Sequence, residues 1–304
     1  MAEVALEVEG ISKRYGEIVA LRELSLAVRP GEIFGLVGDA GAGKTTALRI
    51  IAGLVPADDG EVHWRSRPES PAAGARLGYL PQRRGLHPRM KLLDHLVYLA
   101  ELHGLSTNTA HRNAQLWVDR LGLRPYRTEQ IRNLSEDNKR RTQLAAAMVH
   151  EPDGVVLDEP FAELSAPDLE LLANVLRDKA QFGSTVLFAS ADAELAERVC
   201  DRVLMIHGGQ ALADGTVDEL RGRCPVTLVV DVAEAEPDWA AEIPGSRVRE
   251  RTGSRAVLEL DQETDAQAVL AIAQAAGPVV EFCRRQPSLA ELYRHVVMAG
   301  SDSP

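Results

Sequence analysis

The chain has 304 residues and a mass of 33.0 kDa, room for roughly two domains of about 150 residues each, large enough to fold without disulfide or metal staples. Its 34 basic and 45 acidic side chains give a formal charge of −11, which argues against a nucleic-acid backbone as the main partner, because phosphate neutralisation calls for a basic surface. Cys200, Cys224 and Cys283 are odd in number and far apart, a pattern of neither a disulfide framework nor a zinc site, and runs such as 145–149 and 154–157 fall far short of the ~20 apolar residues that cross a bilayer.

In chain order, residues 4–8, 24–28 and 33–37 read as short strands separated by Tyr15-Gly16 and Pro30-Gly31. A helix is predicted from Lys44 to Ala52, ending at Gly53 in a left-handed cap. From Leu92 to about His150 the apolar period becomes helical, with breaks at Gly104 and Pro125. Strands return at 155–157, 185–189 and 203–206, interleaved with helical segments 167–182 and 192–199, and this alternation predicts a parallel sheet. Beyond about residue 222 the grammar changes. A strand at 226–232, a hairpin of 248–251 and 256–260 around Gly253-Ser254, a helix at 265–276, a strand at 279–283 and a last helix at 289–297 make a small α+β unit. Seven basic and 13 acidic residues lie in 224–304, so neither part of the chain is basic. The tail 301–304 reads as disordered, and the acidic start (Glu3, Glu7, Glu9) does not suit a secretory signal.

The strongest motif is Gly38-Asp39-Ala40-Gly41-Ala42-Gly43-Lys44-Thr45-Thr46, placed after a strand and opening a helix. In that context a Gly-x4-Gly-Lys-[Ser/Thr] loop turns successive backbone N–H groups around an anion, and the helix N-terminus adds its positive dipole end. Lys44 would supply a charge for the β- and γ-phosphates, and the Thr45 hydroxyl a ligand for Mg²⁺. The second constellation, Val155-Val156-Leu157-Asp158-Glu159-Pro160, puts two carboxylates at the carboxyl end of a parallel strand, where such folds bind ligands. Asp158 would hold the Mg²⁺ shell and Glu159 would accept a proton from an attacking water. The histidines His87, His95, His103 and His111 recur at eight-residue steps, a spacing that brings no two together on a helix, and read as solvated helix face.

With Tyr15 in Lys-Arg-Tyr-Gly and Gln82 in Gly78-Tyr79-Leu80-Pro81-Gln82, these motifs make residues 1 to about 222 resemble the ATPase of an ABC transporter. The run Arg84-Gly85-Leu86-His87-Pro88-Arg89-Met90 and the C-terminal unit narrow the resemblance to the sodium-exporter and drug-exporter-like branch. The resemblance implies an α/β P-loop NTPase fold over 1–222, with a mixed β subdomain, a parallel core sheet and a helical insertion near 91–150, followed by an α+β domain at 223–304. It implies that Tyr15 stacks on adenine and that Gln82 touches Mg²⁺ or the attacking water. It also implies ATP and Mg²⁺ as ligands and a face-to-face homodimer or heterodimer with a second ATP-binding subunit. A separately encoded membrane permease would hold the chain on the cytoplasmic face of the cell membrane.

Three positions depart from that family's pattern. The signature Leu-Ser-Gly-Gly-Gln becomes Leu134-Ser135-Glu136-Asp137-Asn138, the aspartate expected after the acidic pair becomes Ser165, and the switch histidine becomes Ala191. Ser135 still suits a helix N-cap, and Glu136 and Asp137 suit the first turn. The lost glycines and the lost imidazole donor imply slow hydrolysis, and they leave a second reading open: a nucleotide-binding pseudo-ATPase with a regulatory or scaffolding role. A twin-cassette translation factor would need a second phosphate loop, and a chromosome-maintenance ATPase would need a long heptad stretch.

Overall fold

The computed structural model describes residues 5–64, 67–68, 77–83, 85–223, 226–236, 238–241, 243–261, 264–285 and 287–301. Its elements begin with β1 (Leu6–Tyr15), β2 (Ile18–Val28), β3 (Ile33–Val37), α1 (Lys44–Ile51), β4 (Asp59–Trp64), β5 (Arg67–Pro68) and β6 (Leu77–Leu80). The helical region holds α2 (Leu92–Leu102), α3 (Thr107–Arg120) and α4 (Glu136–Met148). It is followed by β7 (Gly154–Asp158), α5 (Ala166–Gln181), β8 (Thr185–Ser190), α6 (Ala193–Val199), β9 (Arg202–His207) and β10 (Gln210–Thr216). The remaining elements are α7 (Val217–Gly222), β11 (Val226–Val232), β12 (Ser246–Thr252), β13 (Arg255–Leu260), α8 (Ala266–Ala276), β14 (Val279–Arg285) and α9 (Leu289–Ser301). The chain divides into two compact units, Met1–Thr216 and Val217–Pro304.

In the first unit an antiparallel sheet runs β2-β1-β4-β5, and a second sheet runs β10-β9-β3-β8-β7-β6. From β6 to β9 the second sheet is parallel; only β10 joins antiparallel. Every residue of β3, β7 and β8 is buried, as expected of central parallel strands covered on both faces. In β1, buried Leu6 and Val8 alternate with Glu7 and Glu9 until a register shift between Val8 and Ile11. One core joins the two sheets through α1, drawing on Leu6, Val8, Phe34, Leu36, Leu48, Ile51, Val156 and Leu187. The parallel register fixes the site. Val37 lies opposite Ser190, Asp158 opposite Ala189 and Leu80 opposite Leu157, so the chain leaves β3, β6, β7 and β8 along one carboxyl edge, where open α/β sheets take their ligands.

The helical region keeps the breaks expected of it: Gly104 follows α2, and Pro125 sits in a short 3-10 turn. Gly53 follows α1 at φ +69° and donates to the Ile50 carbonyl. In the second unit the sheet order is β12-β13-β11-β14, antiparallel throughout. Leu228, Val230, Ala256 and Leu258 form its core with Val269 and Ala273 of α8. Leu220 of α7 and Leu289, Leu292 and Tyr293 of α9 are also buried.

Three expectations need correction. His95 is buried at 3% exposure, because α2 turns it inward between Leu92 and Leu96, and the His103 ring stacks on His150 at 3.7 Å; neither belongs to a solvated face. Ser301 is the last residue of α9; the rest of the supposed disordered tail, 302–304, and Arg84 and Cys224 lie outside the described residues.

Candidate active site

The glycine-rich loop bridges the end of β3 and the start of α1. Gly43 has φ +105°, a left-handed conformation that spares glycine the strain a side chain would feel, and a Cβ there would also press on the Ala20 carbonyl at 2.5 Å. At Gly38 a Cβ would land on the Ile206 carbonyl oxygen. The loop is braced from outside: Gly209 donates its N–H to the Ala42 carbonyl at 3.0 Å, while its own carbonyl accepts from Arg22 at 2.9 Å. Asp39, Ala40 and Gly41 are exposed at the rim. The first N–H groups of α1, from Lys44, Thr45 and Thr46, have no partner within a helix, and Gly43, the cap, supplies no side-chain acceptor.

Lys44 is only 6% exposed. Its ammonium donates to the carbonyls of Gly38 at 2.5 Å and Asp39 at 3.0 Å and lies 3.6 Å from Glu159 Oε1. The Thr45 hydroxyl donates to Asp158 Oδ1 at 3.1 Å. Asp158 is 1% exposed, and among the described residues its other oxygen, Oδ2, is buried without a hydrogen-bond partner. A buried orphan carboxylate oxygen is costly unless something polar or cationic meets it. Beside a threonine hydroxyl it makes the hard oxygen donor set that Mg²⁺ prefers.

Glu159 carries a φ of +50°, uncommon for a residue with a side chain. Its N–H donates to the Ala189 carbonyl at 3.1 Å, and Oε2 accepts from the Ala191 N–H at 3.2 Å. Burial pushes both acidic carboxyls up from their ordinary range. At Asp158 the Thr45 hydroxyl and then Arg49, Lys44 and Arg140 oppose that rise; at Glu159 the Ala191 N–H and Lys44 do so. Carboxylates whose pKa values burial raises, set beside a lysine in a cleft, are candidates for chemistry.

The sequence region and the fold both find relatives. Residues 21–162 match the ABC transporter family, and residues 215–297 match the C-terminal domain of DrrA1-3-like ATP-binding proteins. The ABC transporter ATP-binding protein YhaQ of Bacillus subtilis is 30% identical over 288 residues, covering 95% of this chain and 97% of that protein. This chain belongs to the family of ABC transporter ATP-binding proteins. The daunorubicin resistance ATP-binding protein DrrA3 of Streptomyces coeruleorubidus is 30% identical over 97% of this chain and 96% of its own. The structure of an ATP-binding subunit of an ABC transporter superposes with a TM-score of 0.67 at 26% identity, over 72% of this chain and 92% of that one. A dimeric bacterial ABC cassette, 21% identical, shares the fold at a TM-score of 0.63 over 69% of this chain and 98% of that one.

Within this ABC protein the other candidate positions fall as follows. Tyr15 ends β1 with 46% of its surface exposed, and the Lys13 ammonium stands 5.8 Å from its ring centroid; it is not a core residue. Gln82 is exposed two residues beyond β6, and among the described residues its backbone carbonyl is held by Arg140 at 3.3 Å. Ser135 caps α4, accepting from the Asn138 N–H at 3.3 Å, and Glu136 turns outward to Lys139 at 2.7 Å. Ser165 precedes α5 and donates to the buried Asp168, which pairs with Arg141. Ala191 reaches Glu159 through its backbone alone. Arg140 and Gly209 were not singled out by sequence reading. Arg140 stands in a run of three basic residues with nothing to tell it from its neighbours, and the partners of Gly209, Ala42 and Arg22, are remote from it in sequence.

Proposed function

We propose that this chain is the ATP-binding and ATP-hydrolysing subunit of an exporter, docked through a separate permease on the inner face of the cell membrane. The observation that carries the reading is the convergence of Lys44, Thr45, Asp158 and Glu159, with Asp158 Oδ2 left unsatisfied. The phosphates would lie against the N–H groups of residues 41–46, the Lys44 ammonium exchanging the carbonyls of its own loop for phosphate oxygens. Thr45 and Asp158 would hold Mg²⁺, which neutralises charge developing between the β- and γ-phosphates. Glu159, pushed up by burial, would accept the proton of the attacking water, with Gln82 helping to orient it, and Tyr15 would stack on adenine, an exposed π-face worth ~1–3 kcal/mol to a base. Relatives named for daunorubicin resistance, linearmycin resistance and Nod factor export support the exporter class, and among the described residues no helix is long and apolar enough to cross a membrane. ATP would close this chain face to face with a second ATP-binding subunit, a copy or a paralogue, and its greater affinity for the closed state would drive the permease.

Turnover is proposed to be slow. Ala191 offers no side-chain donor, Ser165 is engaged by Asp168 rather than free at the loop, and acids open α4 where the family has glycine. Those same features support the second reading, a pseudo-ATPase that binds nucleotide and regulates. A steady-state assay separates the two. The first reading expects measurable turnover that vanishes in Lys44→Ala and falls at least about 100-fold in Glu159→Gln; turnover no higher than in Glu159→Gln favours the second.

A further inference from the structure

Arg140 lies on the first turns of α4, and its guanidinium joins three segments that are remote in sequence. Nη2 donates to the Glu159 carbonyl at 3.0 Å. Nη1 donates to the Gln82 carbonyl at 3.3 Å and to Gln143 Oε1 at 3.2 Å, and lies 3.5 Å from the Pro81 carbonyl. Among the described residues it forms no ion pair, although the charges of Glu163, Asp158 and Glu159 act on it against the cost of its burial. A partly buried cation spent wholly on neutral carbonyl oxygens is unusual, since a charge so placed ordinarily takes a carboxylate partner. What it fixes is backbone, and the backbone in question is that of the two residues expected to flank the attacking water.

Glu159 shows why such an anchor is needed. Its left-handed φ of +50° persists only if the surroundings over-determine it. The side-chain end is held by Ala191 and Lys44, and the carbonyl end by Arg140 and by the Ala162 N–H at 3.3 Å. We propose that Arg140 is a positioning residue that holds the Glu159 peptide and the Gln82 turn as one unit, so that movement of α4 moves both together. The assignment rests on the reading of Glu159 as the proton acceptor. The planar fork suits this task because two nitrogens diverge to two segments in fixed geometry, whereas a lysine ammonium is a single point that cannot reach both in the same way.

The test uses the full chain, free of nucleotide, as wild type, Arg140→Ala and Arg140→Lys. Hydrogen exchange is followed by mass spectrometry in peptides covering 80–86 and 158–164. Both segments should exchange faster in Arg140→Ala, and lysine should restore at most one of them; exchange unchanged in either segment would overturn the anchor whether or not the chain turns over ATP. In parallel, Mg·ATP affinity in Arg140→Ala should stay within about threefold of wild type, while the single-turnover rate falls by up to about 100-fold, the cost of misplacing a reacting group by about 1 Å. Placed in a Glu159→Gln background, the same change should add little, since it acts through Glu159. A full additional loss there, or a wild-type rate in Arg140→Ala, counts against the assignment. Failure of wild type to bind Mg·ATP strikes the ATPase reading instead, and the exchange result distinguishes the two failures.

Discussion

Asp158 and Glu159 are neighbours in sequence held in different surroundings, which suit them to the different tasks proposed for them. Asp158 ends β7 fully buried, with one oxygen bound to Thr45 and the other unpartnered among the described residues. Glu159 has already turned out of the strand, and both its oxygens face groups of the site, the Lys44 ammonium and the Ala191 N–H. These residues were legible because the loop 38–46 and the strand ending in two acids are contiguous, chemically distinctive patterns. The contacts that position them were not, since Ala189, Ala191 and Arg140 approach Glu159 across 30, 32 and 19 positions of chain and carry no local signature. Ala191 is the residue where a change should help. It is exposed and already within reach of Glu159, so Ala191→His adds an imidazole donor without displacing core. Removing one preorganised donor typically slows chemistry about 100- to 1,000-fold. Restoring one should raise kcat by about 10-fold or more in a steady-state phosphate-release assay, with Mg·ATP affinity little changed. An unaltered kcat would mean that the missing donor is not what limits turnover.

At the scale of elements, the strands read most clearly are the central parallel ones. β3, β7 and β8 are short unbroken apolar runs, whereas β4 (Asp59–Trp64) and β10 (Gln210–Thr216) carry polar and glycine residues and owe their strand character to pairing with β1 and β9. Helix α4 announced only its beginning, through Ser135. Its first turns are polar, and the face it buries, including Thr142, Leu144, Ala145 and Met148, becomes apolar only toward its end. His95 and His103 were misread as solvated for a related reason: the spacing was visible, but not which helix face would turn inward. Burial lowers His95 from its ordinary 6.5 to about 4, with His87 adding to the effect. His150 is likewise lowered to about 4, by burial and then by the stacked His103, against smaller upward pulls from the Leu77 backbone and Glu151 and with Lys179 also pushing down. In the unfolded chain both would bind protons near pH 6.5. Between about pH 6.5 and pH 4 the unfolded state therefore binds more protons than the folded state, so stability present above pH 6.5 is lost as pH falls through that window. The melting temperature should drop across it, and His95→Leu or His150→Leu should flatten the drop. Parallel pH profiles for wild type and both variants would count against this origin.

For the molecule as a whole, the sequence pattern changes near residue 222, whereas the compact division falls between Thr216 and Val217 and places α7 with the second unit. The charge of −11 argued against a nucleic-acid partner, and the shortness of the apolar runs, together with the family resemblance, led to the expectation of a protein partner in the membrane. What no pattern in the chain could supply is the identity of any compound the proposed exporter would carry, since specificity in that arrangement would rest with the permease. The account depends above all on one event, the capture of a triphosphate with its metal at the carboxyl edge of the parallel sheet. Calorimetric titration of the full chain with Mg·ATP, paired with thermal melting, tests it most directly. Saturable heat is expected, with a rise in melting temperature equivalent to about 2.7 kcal/mol at a hundredfold excess over Kd, and both should disappear in Lys44→Ala. No heat and no thermal shift in the wild-type chain, or an undiminished response in Lys44→Ala, would contradict it.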